Sequence, residues 1–422
     1  MRNQSTLIQN IRIIDSQSPF NQLYKDIIIN EGIITKIAEP NTLQTENHTV
    51  LDGNNLCISP GWVDMQVQLS DPGFPNRDSV EIISQSAAKG GFTNIICFPN
   101  TLPTIDKPEI LQSLILKTKH LATQFHFTAA LTIKTKGEQM TELASLLQSG
   151  AVAFTDGIQT LQSDPLLLQC LQYLNPFGAI TIQLPNWQPI TQEGVANESA
   201  TITALGLKTI SPLNETLLIA RDIQLAKYAN TKIHFTSVST KNAVELIAKA
   251  QSEGIFVTAD TAPPYLFFDD SNLNTFDTNF KTFPPLRSQE DIEALQQAVR
   301  QGVITCFGSA HCPLAQHEKE MEFDEAAFGI LSLETAFAVL YTQLVDNKII
   351  SLNQLIDNLT HNPRKLLNIK PIIINKNQPA ILTLFNPTEK WTVKPLDYAS
   401  LCKNTPYIGK NLTGKVHSIF TT

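Results

Sequence analysis

The sequence lacks the features that mark a secreted, membrane-spanning or nucleic-acid-binding protein. No apolar run approaches the roughly 18 residues that a membrane span requires. The N-terminal segment MRNQSTLIQNIRIID has neither the apolar core nor the small-residue cleavage site of a signal peptide. Lys and Arg form no cluster and the formal net charge is −8, so a concentrated basic face for phosphate binding is excluded. We therefore expect a cytoplasmic protein with neither a nucleic-acid nor a membrane partner.

Cysteine is also sparse, and its spacing excludes the common cysteine motifs. The six residues contain no CxxC pair, which argues against a cysteine zinc site and a redox pair. In a cytosolic chain of 422 residues, scattered cysteines are expected to be reduced core residues. They are Cys57, Cys97, Cys170, Cys306, Cys312 and Cys402.

Both ends of the chain carry short stretches in which apolar and polar residues alternate, as in half-buried strands. Residues 1–58 contain two such stretches around Glu31-Gly32, a hairpin signal, and residues 380–393 and 405–420 repeat the pattern. We expect the two ends to pair in one β-sandwich domain made of residues 1–58 and 372–422.

The middle of the chain, residues 59–371, alternates short apolar strands with amphipathic helices. Eight strand–helix repeats predict an α/β fold with a closed parallel (β/α)8 barrel, in which chemistry lies at the carboxyl ends of the strands. The predicted strands are 61–69, 94–98, 125–131, 151–154, 179–183, 232–238, 255–259 and 303–308. The clearest predicted helices are 79–89, 214–228, 240–253 and 289–301.

The first predicted barrel strand carries a specific motif, SPGWVDMQVQLSDPGF. It resembles the dihydroorotase pattern P-G-[FW]-[IV]-D-x-H-x-H-L-R-E-P-G, and further matching segments follow in the family's order. They are 89–106, 149–157, 204–228, 235–247, 280–288, 317–336 and 403–416. The resemblance is to the bacterial type related to dihydroorotases of multifunctional complexes. It implies an amidohydrolase-superfamily TIM-like barrel with a β-sandwich from both termini, and a place in pyrimidine biosynthesis.

In the family, zinc held by His and carboxylate groups activates the water that opens a cyclic amide. The H-x-H pair corresponds to Gln66 and Gln68, and the strand-five His to Gln183. Glutamine offers zinc only a neutral amide oxygen, which is a poor ligand. The strand-six His corresponds to Ser237, and the catalytic Asp after strand eight to Ala310.

Asp156, in FTDG, is the one matching metal ligand that remains. A lone carboxylate does not make a zinc site, and such a residue is more often a helix cap or turn residue. His234 is retained three residues before Ser237. Strand alternation predicts that it faces the other way and packs between strand and helix. The sequence therefore predicts that no zinc or other cofactor is bound.

The substrate contacts implied by the resemblance are also altered. The Arg that pairs with the substrate carboxylate corresponds to Ser70, and the Asn of N-P-P-L-R corresponds to Phe283. Asn100 and His311 are retained as remnant substrate-binding residues, although a turn role would also explain such an Asn.

Three functions remain open from the sequence. The first is a catalytically inactive homologue that acts as a structural or regulatory partner, with aspartate carbamoyltransferase as the candidate partner and a homodimer as the family's habit. The second is an active cyclic-amide hydrolase that converts dihydroorotate to N-carbamoyl-aspartate, or one that uses Asp156, His311 and Cys312 without a metal. The third is a sensor that binds a small molecule in the remodelled pocket.

Overall fold

The computed structural model describes residues 5–191 and 193–421, and most of its strands fall into two large sheets. The strands are β1 (Thr6–Ile13), β2 (Tyr24–Asn30), β3 (Ile33–Ala38), β4 (Thr49–Asp52), β5 (Cys57–Pro60), β6 (Trp62–Val67), β7 (Phe92–Cys97), β8 (Gln124–Ala129), β9 (Ala153–Phe154), β10 (Thr181–Gln183), β11 (Ala196–Asn197), β12 (Thr209–Ile210), β13 (Ile233–Phe235), β14 (Val257–Thr261), β15 (Cys306–Phe307), β16 (Leu382–Thr392) and β17 (Asn411–Phe420).

Eight parallel strands form the barrel in the order β6-β7-β8-β9-β10-β13-β14-β15. A parallel bridge between Val67 and His311 joins β6 to the segment that follows β15 and closes the ring. Each of the eight predicted strands overlaps one of these strands. The predicted barrel is therefore confirmed.

Helices follow the strands and cover the barrel. Several of them begin at residues whose side chains cap free N–H groups: Ser79 caps α1, Thr240 caps α8, and Ser288 forms a capping box with Asp291 at α10. The helices are α1 (Val80–Lys89), α2 (Pro108–Thr118), α3 (Leu143–Gln148), α4 (Asp164–Leu174), α5 (Gln188–Thr191), α6 (Ala200–Ala204), α7 (Leu213–Ala229), α8 (Lys241–Ser252), α9 (Pro264–Phe267), α10 (Gln289–Gln301), α11 (Gln316–Lys319), α12 (Ala336–Leu340), α13 (Leu352–Leu359) and α14 (His361–Leu366). None of the helices in the described residues is long and apolar enough to cross a membrane.

The other large sheet joins strands from both ends of the chain. Its order is β17-β16-β5-β1-β2-β3, with β4 beside β1. The β2–β3 hairpin turns at Glu31 and Gly32, which both have positive φ (48° and 73°), as a two-residue hairpin loop requires. A cluster of isoleucines and leucines, centred on Ile8, Ile27 and Leu384, is buried against the sheet. All six cysteines are buried and unpaired, as predicted.

Trp62 connects this sheet to the barrel. It is fully buried, and its ring lies 4.5 Å from that of Phe337, 5.4 Å from that of Phe385 and 6.1 Å from that of Phe92. Its indole N–H donates to Ser59 Oγ at 2.9 Å. Gly91 is required beside it, because a Cβ there would come within 2.5 Å of the Trp62 ring.

We expect Trp62→Ala to lower the free energy of unfolding by about 3–5 kcal/mol, because it opens a cavity among three aromatic rings. Urea unfolding followed by circular dichroism measures the change. Leu396→Ala is the matched control, since the Leu396 side chain is 88% exposed and its truncation should change stability by less than about 0.5 kcal/mol. Equal losses in both variants would contradict this role for Trp62.

Candidate functional site

A cavity of about 260 Å³ opens at the carboxyl ends of the barrel strands. Its apolar wall comes from loops after several strands, and its polar lining is mainly side-chain amides. The apolar residues include Ile158, Leu184, Phe283, Phe328 and Ile330. The amides are Gln66, Gln68, Gln159, Asn186 and Gln188. The lining is completed by Ala310, Cys312, Tyr265, Thr282 and Gly329. Its side chains are uncharged at neutral pH, because burial raises the pKa of the Cys312 thiol to about 11 and keeps it protonated.

Gln66 and Ser237, which match two histidine ligands of the family, contact each other. The Ser237 hydroxyl makes a short hydrogen bond to Gln66 Oε1, and Thr236 Oγ1 lies 3.3 Å from the same oxygen. The pairing of β6 with β7 is irregular between Asp64 and Val67, and Gln66 is 2% exposed. An amide and two hydroxyls therefore occupy the position of two expected imidazoles.

Asp260 lies directly behind this group and is fully buried. Its Oδ1 accepts the Ser237 N–H at 2.7 Å and lies 3.1 Å from Thr236 Oγ1, and its Oδ2 pairs with His234 Nε2 at 2.9 Å. The other ring nitrogen, His234 Nδ1, lies 2.8 Å from Thr258 Oγ1. His234 is thus part of a hydrogen-bonded network that leads to Gln66.

The expectation that His234 faces away from Ser237 is wrong. Alternation holds only for extended backbone, and Ser237 has φ of 55°, which ends the strand and turns its N–H toward Asp260. Both residues therefore bind the same carboxylate.

Asp64 is a second buried acid; it matches the Asp of the family pattern but was not predicted as a site residue. Its Oδ1 accepts the N–H groups of Gln66 (2.9 Å) and Ser309 (2.8 Å), which ties β6 to the loop after β15. Burial raises its pKa to about 7, although these hydrogen bonds act in the opposite direction. The signal for Asp64 was its place in the family pattern, two residues before Gln66 on the same strand. The signal for Asp260 was that it is the one acid at the end of the largely apolar stretch IFVTAD.

Gln183 does not line the cavity. It is 1% exposed, and neither its Oε1 nor its Nε2 makes a hydrogen bond with the described residues. Its amide acts on the carboxyl of Asp222 on α7. Burial, the larger effect, raises the pKa of Asp222 to about 7, while Arg221 and Gln183 lower it. Gln183 therefore lies outside the cavity, near the buried Asp222 carboxyl.

Asp156, the one residue that matches a metal ligand of the family, is hydrogen-bonded to the loop after β8. Its Oδ1 accepts the Thr132 N–H at 2.9 Å and its Oδ2 the Thr132 hydroxyl at 2.5 Å, in the turn after β8. Its side chain is buried and outside the cavity lining, and burial raises its pKa to about 6. These contacts fit a turn residue.

Asn100 and His311 are also held by backbone groups. Asn100 Nδ2 donates to Asp156 O at 3.0 Å, and Asn100 Oδ1 accepts the Ile158 N–H at 3.2 Å. His311 Nδ1 accepts the N–H groups of Ser332 and Leu333 at 3.3 and 3.4 Å, while burial lowers its pKa to about 3. Neither side chain lines the cavity.

The remaining predicted positions divide between the cavity and its surroundings. Phe283 and Ala310 line the cavity, and Ala310 has φ of 55°, so the chain turns sharply there. Ser70 is 1% exposed and borders a separate hollow with Pro72 and Arg77. The cavity therefore brings together Gln66, Gln68, Phe283 and Ala310.

Comparison with known proteins identifies the family. A family model described as Dihydro-orotase-like matches residues 55–243. The dihydroorotase of Elusimicrobium minutum is 35% identical over 417 residues, which cover 98% of this chain and 95% of that protein. The chain belongs to the dihydroorotase family. The dihydroorotase of Syntrophus aciditrophicus is also 35% identical, over 97% of this chain and 96% of its own length.

Solved structures agree with the barrel fold of this dihydroorotase-family chain. The L-hydantoinase (dihydropyrimidinase) from Arthrobacter aurescens superposes with a TM-score of 0.87 at 25% identity, over 100% of this chain and 95% of that one. A D-hydantoinase superposes with a TM-score of 0.83 at 22% identity, over 99% and 94% of the two chains.

The residues of this dihydroorotase-family chain do not fit the metal centre that the family implies. Within residues 5–191 and 193–421, no three His, Cys, Asp or Glu side chains are grouped so that they could hold one ion. Asp156 is committed to Thr132, and the Gln66 oxygen accepts a hydroxyl. An amide, a hydroxyl and a methyl group are weak or impossible ligands for zinc.

Cys312 does not form a nucleophile–base pair with His311. Its thiol donates to Gln68 Oε1 at 3.2 Å, and the His311 ring accepts backbone N–H groups instead. Burial raises the pKa of the Cys312 thiol to about 11, so the nucleophilic thiolate is scarce at neutral pH.

Asp156 should make stability depend on pH. Because its pKa is raised in the folded protein, the folded state binds a proton between about pH 4 and 6 that the unfolded chain has released. The free energy of unfolding therefore falls as pH rises through this window. Asp156→Asn is neutral throughout, so its stability relative to the wild type should rise from pH 4 to pH 7, by ~3 kcal/mol at most.

Thermal unfolding of both proteins at pH 4, 5, 6 and 7 measures this difference. Leu396→Ala, which removes no titratable group, is the control and should show a difference from the wild type that does not change with pH. A difference that is also independent of pH for Asp156→Asn would mean that burial does not raise the pKa of the Asp156 carboxyl.

Proposed function

We propose that this chain is a non-catalytic member of the dihydroorotase family in pyrimidine biosynthesis, and that it acts as a structural or regulatory partner of another enzyme. The observation that carries the proposal is the arrangement of charge at the barrel mouth. Every side chain that lines the cavity is neutral, while the acids Asp64, Asp156 and Asp260 are buried behind it and hydrogen-bonded to the protein.

Opening a cyclic amide needs a group that activates water and a group that carries the proton. Ala310 has the position of the family's proton carrier, and a methyl group moves no proton. Asp156 and His311 are enclosed outside the cavity lining, so neither reaches a ligand there directly. The side chains at these positions therefore support a role that does not involve catalysis.

The alternative is an active cyclic-amide hydrolase that converts dihydroorotate to N-carbamoyl-aspartate. The Asp260–His234 pair favours it, because Asp260 Oδ1 lies 3.1 Å from the Thr236 hydroxyl and could accept a proton through that hydroxyl. Such a route would require Gln66 to move, since its amide stands between the Thr236 hydroxyl and the cavity.

Metal content and turnover separate these two functions. We expect the purified protein to contain far less than one equivalent of zinc and to leave dihydroorotate unchanged, because a tight site needs several charged or imidazole ligands. Elemental analysis and an assay of dihydroorotate at neutral pH test this, with the Elusimicrobium minutum dihydroorotase as positive control. Stoichiometric zinc together with turnover would overturn the proposal.

The candidate partner is aspartate carbamoyltransferase, and a homodimer is the other proposed assembly. The outer faces of α4, of the turn that follows it and of α7 expose large apolar side chains that could contact a partner: Tyr173, Phe177, Leu213, Leu217 and Tyr228. Tyr173 and Phe177 lie 6.0 Å apart between ring centres, and Leu213 and Leu217 are one helical turn apart.

We expect the chain to co-elute with the aspartate carbamoyltransferase of the same organism in size-exclusion chromatography. Leu217→Asp should weaken that association at least tenfold, since it puts a charge into the apolar contact. Leu396→Asp, on a more exposed leucine outside these helices, is the control. A chain that elutes apart from the carbamoyltransferase at every concentration would contradict this partner.

A further inference from the structure

The floor of the cavity presents hydrogen-bond donors. Gln66 Oε1 receives the Ser237 hydroxyl, and Gln68 Oε1 receives the Cys312 thiol at 3.2 Å. Both acceptor ends are thereby used within the protein. The two Nε2 groups make no hydrogen bond with the described residues, and both glutamines line the cavity. A ligand that supplies carbonyl oxygens would satisfy these donors.

The wall of the cavity offers an aromatic corner. Phe283 and Phe328 meet edge to face, with ring centres 5.6 Å apart and planes at 80°, and both line the cavity. The Tyr265 side chain adds a third aromatic ring to the lining, while its hydroxyl is buried behind the cavity surface. Flat rings pack well in such a corner.

The surroundings of the cavity disfavour a carboxylate. The two cations whose charge acts on Cys312 are Arg77 and Lys319. Arg77 holds Glu318 with two hydrogen bonds, and Lys319 Nζ donates to three backbone carbonyls, including those of Ala327 and Gly329. Lys281, whose ammonium lies 4.8 Å from the centre of the Phe328 ring, donates to the carbonyls of Phe323 and Asp324. Since these three cations are already engaged, a carboxylate in the cavity would be desolvated without compensation, which is costly.

We propose that this cavity binds an uncharged, amide-bearing ring the size of a single pyrimidine, and that it discriminates against the same ring carrying a carboxylate. The volume of about 260 Å³ suits a ligand of that size. The ring carbonyls accept from Gln66 and Gln68, and its face packs on Phe283 and Phe328. The inference rests on the proposed function in one respect, that the floor carries amides and no metal.

The test is isothermal titration of the full chain with two matched pairs of ligands, uracil against orotate and dihydrouracil against dihydroorotate. Each pair differs only in the carboxylate. We expect each neutral ring to bind at least tenfold more tightly than its partner. Equal or tighter binding of the carboxylates, or no binding of either neutral ring at millimolar concentration, would overturn the inference.

Variants at Gln68 locate the site. Gln68→Glu replaces the donor with a negative charge and should weaken binding of uracil at least tenfold, whereas Gln68→Lys should shift the preference toward orotate. Gln224→Glu, on the exposed face of α7, is the matched control and should leave both affinities unchanged. Unchanged ligand preference in a folded Gln68→Lys protein would also overturn the inference.

The result is separable from the proposed function. A protein that binds the neutral rings preferentially and also turns over dihydroorotate with zinc would refute only the non-catalytic role. A protein without zinc or turnover that prefers carboxylates would refute only the ligand class.

Discussion

A carboxylate enclosed in a barrel must be surrounded by donors, and this requirement at Asp260 organises the site. Three groups from β13 and the turn after it satisfy it: the His234 ring, the Thr236 hydroxyl and the Ser237 N–H. To reach Asp260, Ser237 adopts a positive φ, and that conformation turns its hydroxyl to Gln66. The orientation of the cavity floor follows from this contact, because the Gln66 oxygen is then occupied and its Nε2 remains for the cavity.

The barrel could be predicted from the sequence because alternation of short apolar strands with capped amphipathic helices is a local signal, repeated eight times. Ser288, Asp291 and Gly302 mark the ends of α10 in the sequence, and the helix begins and ends where they indicate. The hairpin at Glu31-Gly32 was predictable for the same reason. The hydrogen-bonded network could not be predicted from the sequence. It depends on the irregular pairing of β6 with β7 and on the positive φ of Ser237, and the residues at both places read as ordinary strand residues.

Motif matching gave the identities of the site residues but not their contacts. Asp156, Asn100 and His311 match functional positions of the family, yet each is held by backbone groups of neighbouring loops. A side chain that closes a loop in this way is explained by the fold alone. Phe283 and Ala310 stand at functional positions of the family without carrying a polar group, and both line the cavity. Asp64 and Asp260, which were not predicted as site residues, are the acids closest to Gln66 in the hydrogen-bonded network.

The substitutions at the barrel mouth form a consistent electrostatic set. A site of imidazoles and carboxylates needs a cation to offset its acids, whereas amides, a hydroxyl and a methyl group do not. The acids that remain are accommodated without an ion. Asp260 contacts His234, the Thr236 hydroxyl and the Ser237 N–H. Asp64 and Asp156 accept hydrogen bonds, and burial raises their pKa values to about 7 and 6, so that a proton can offset part of their charge. Restoring a single metal ligand would therefore leave an incomplete site whose remaining donors are already engaged. Because the neutral floor, the occupied oxygens and the buried acids depend on one another, a metal centre of the family's kind would require several of these residues to change together.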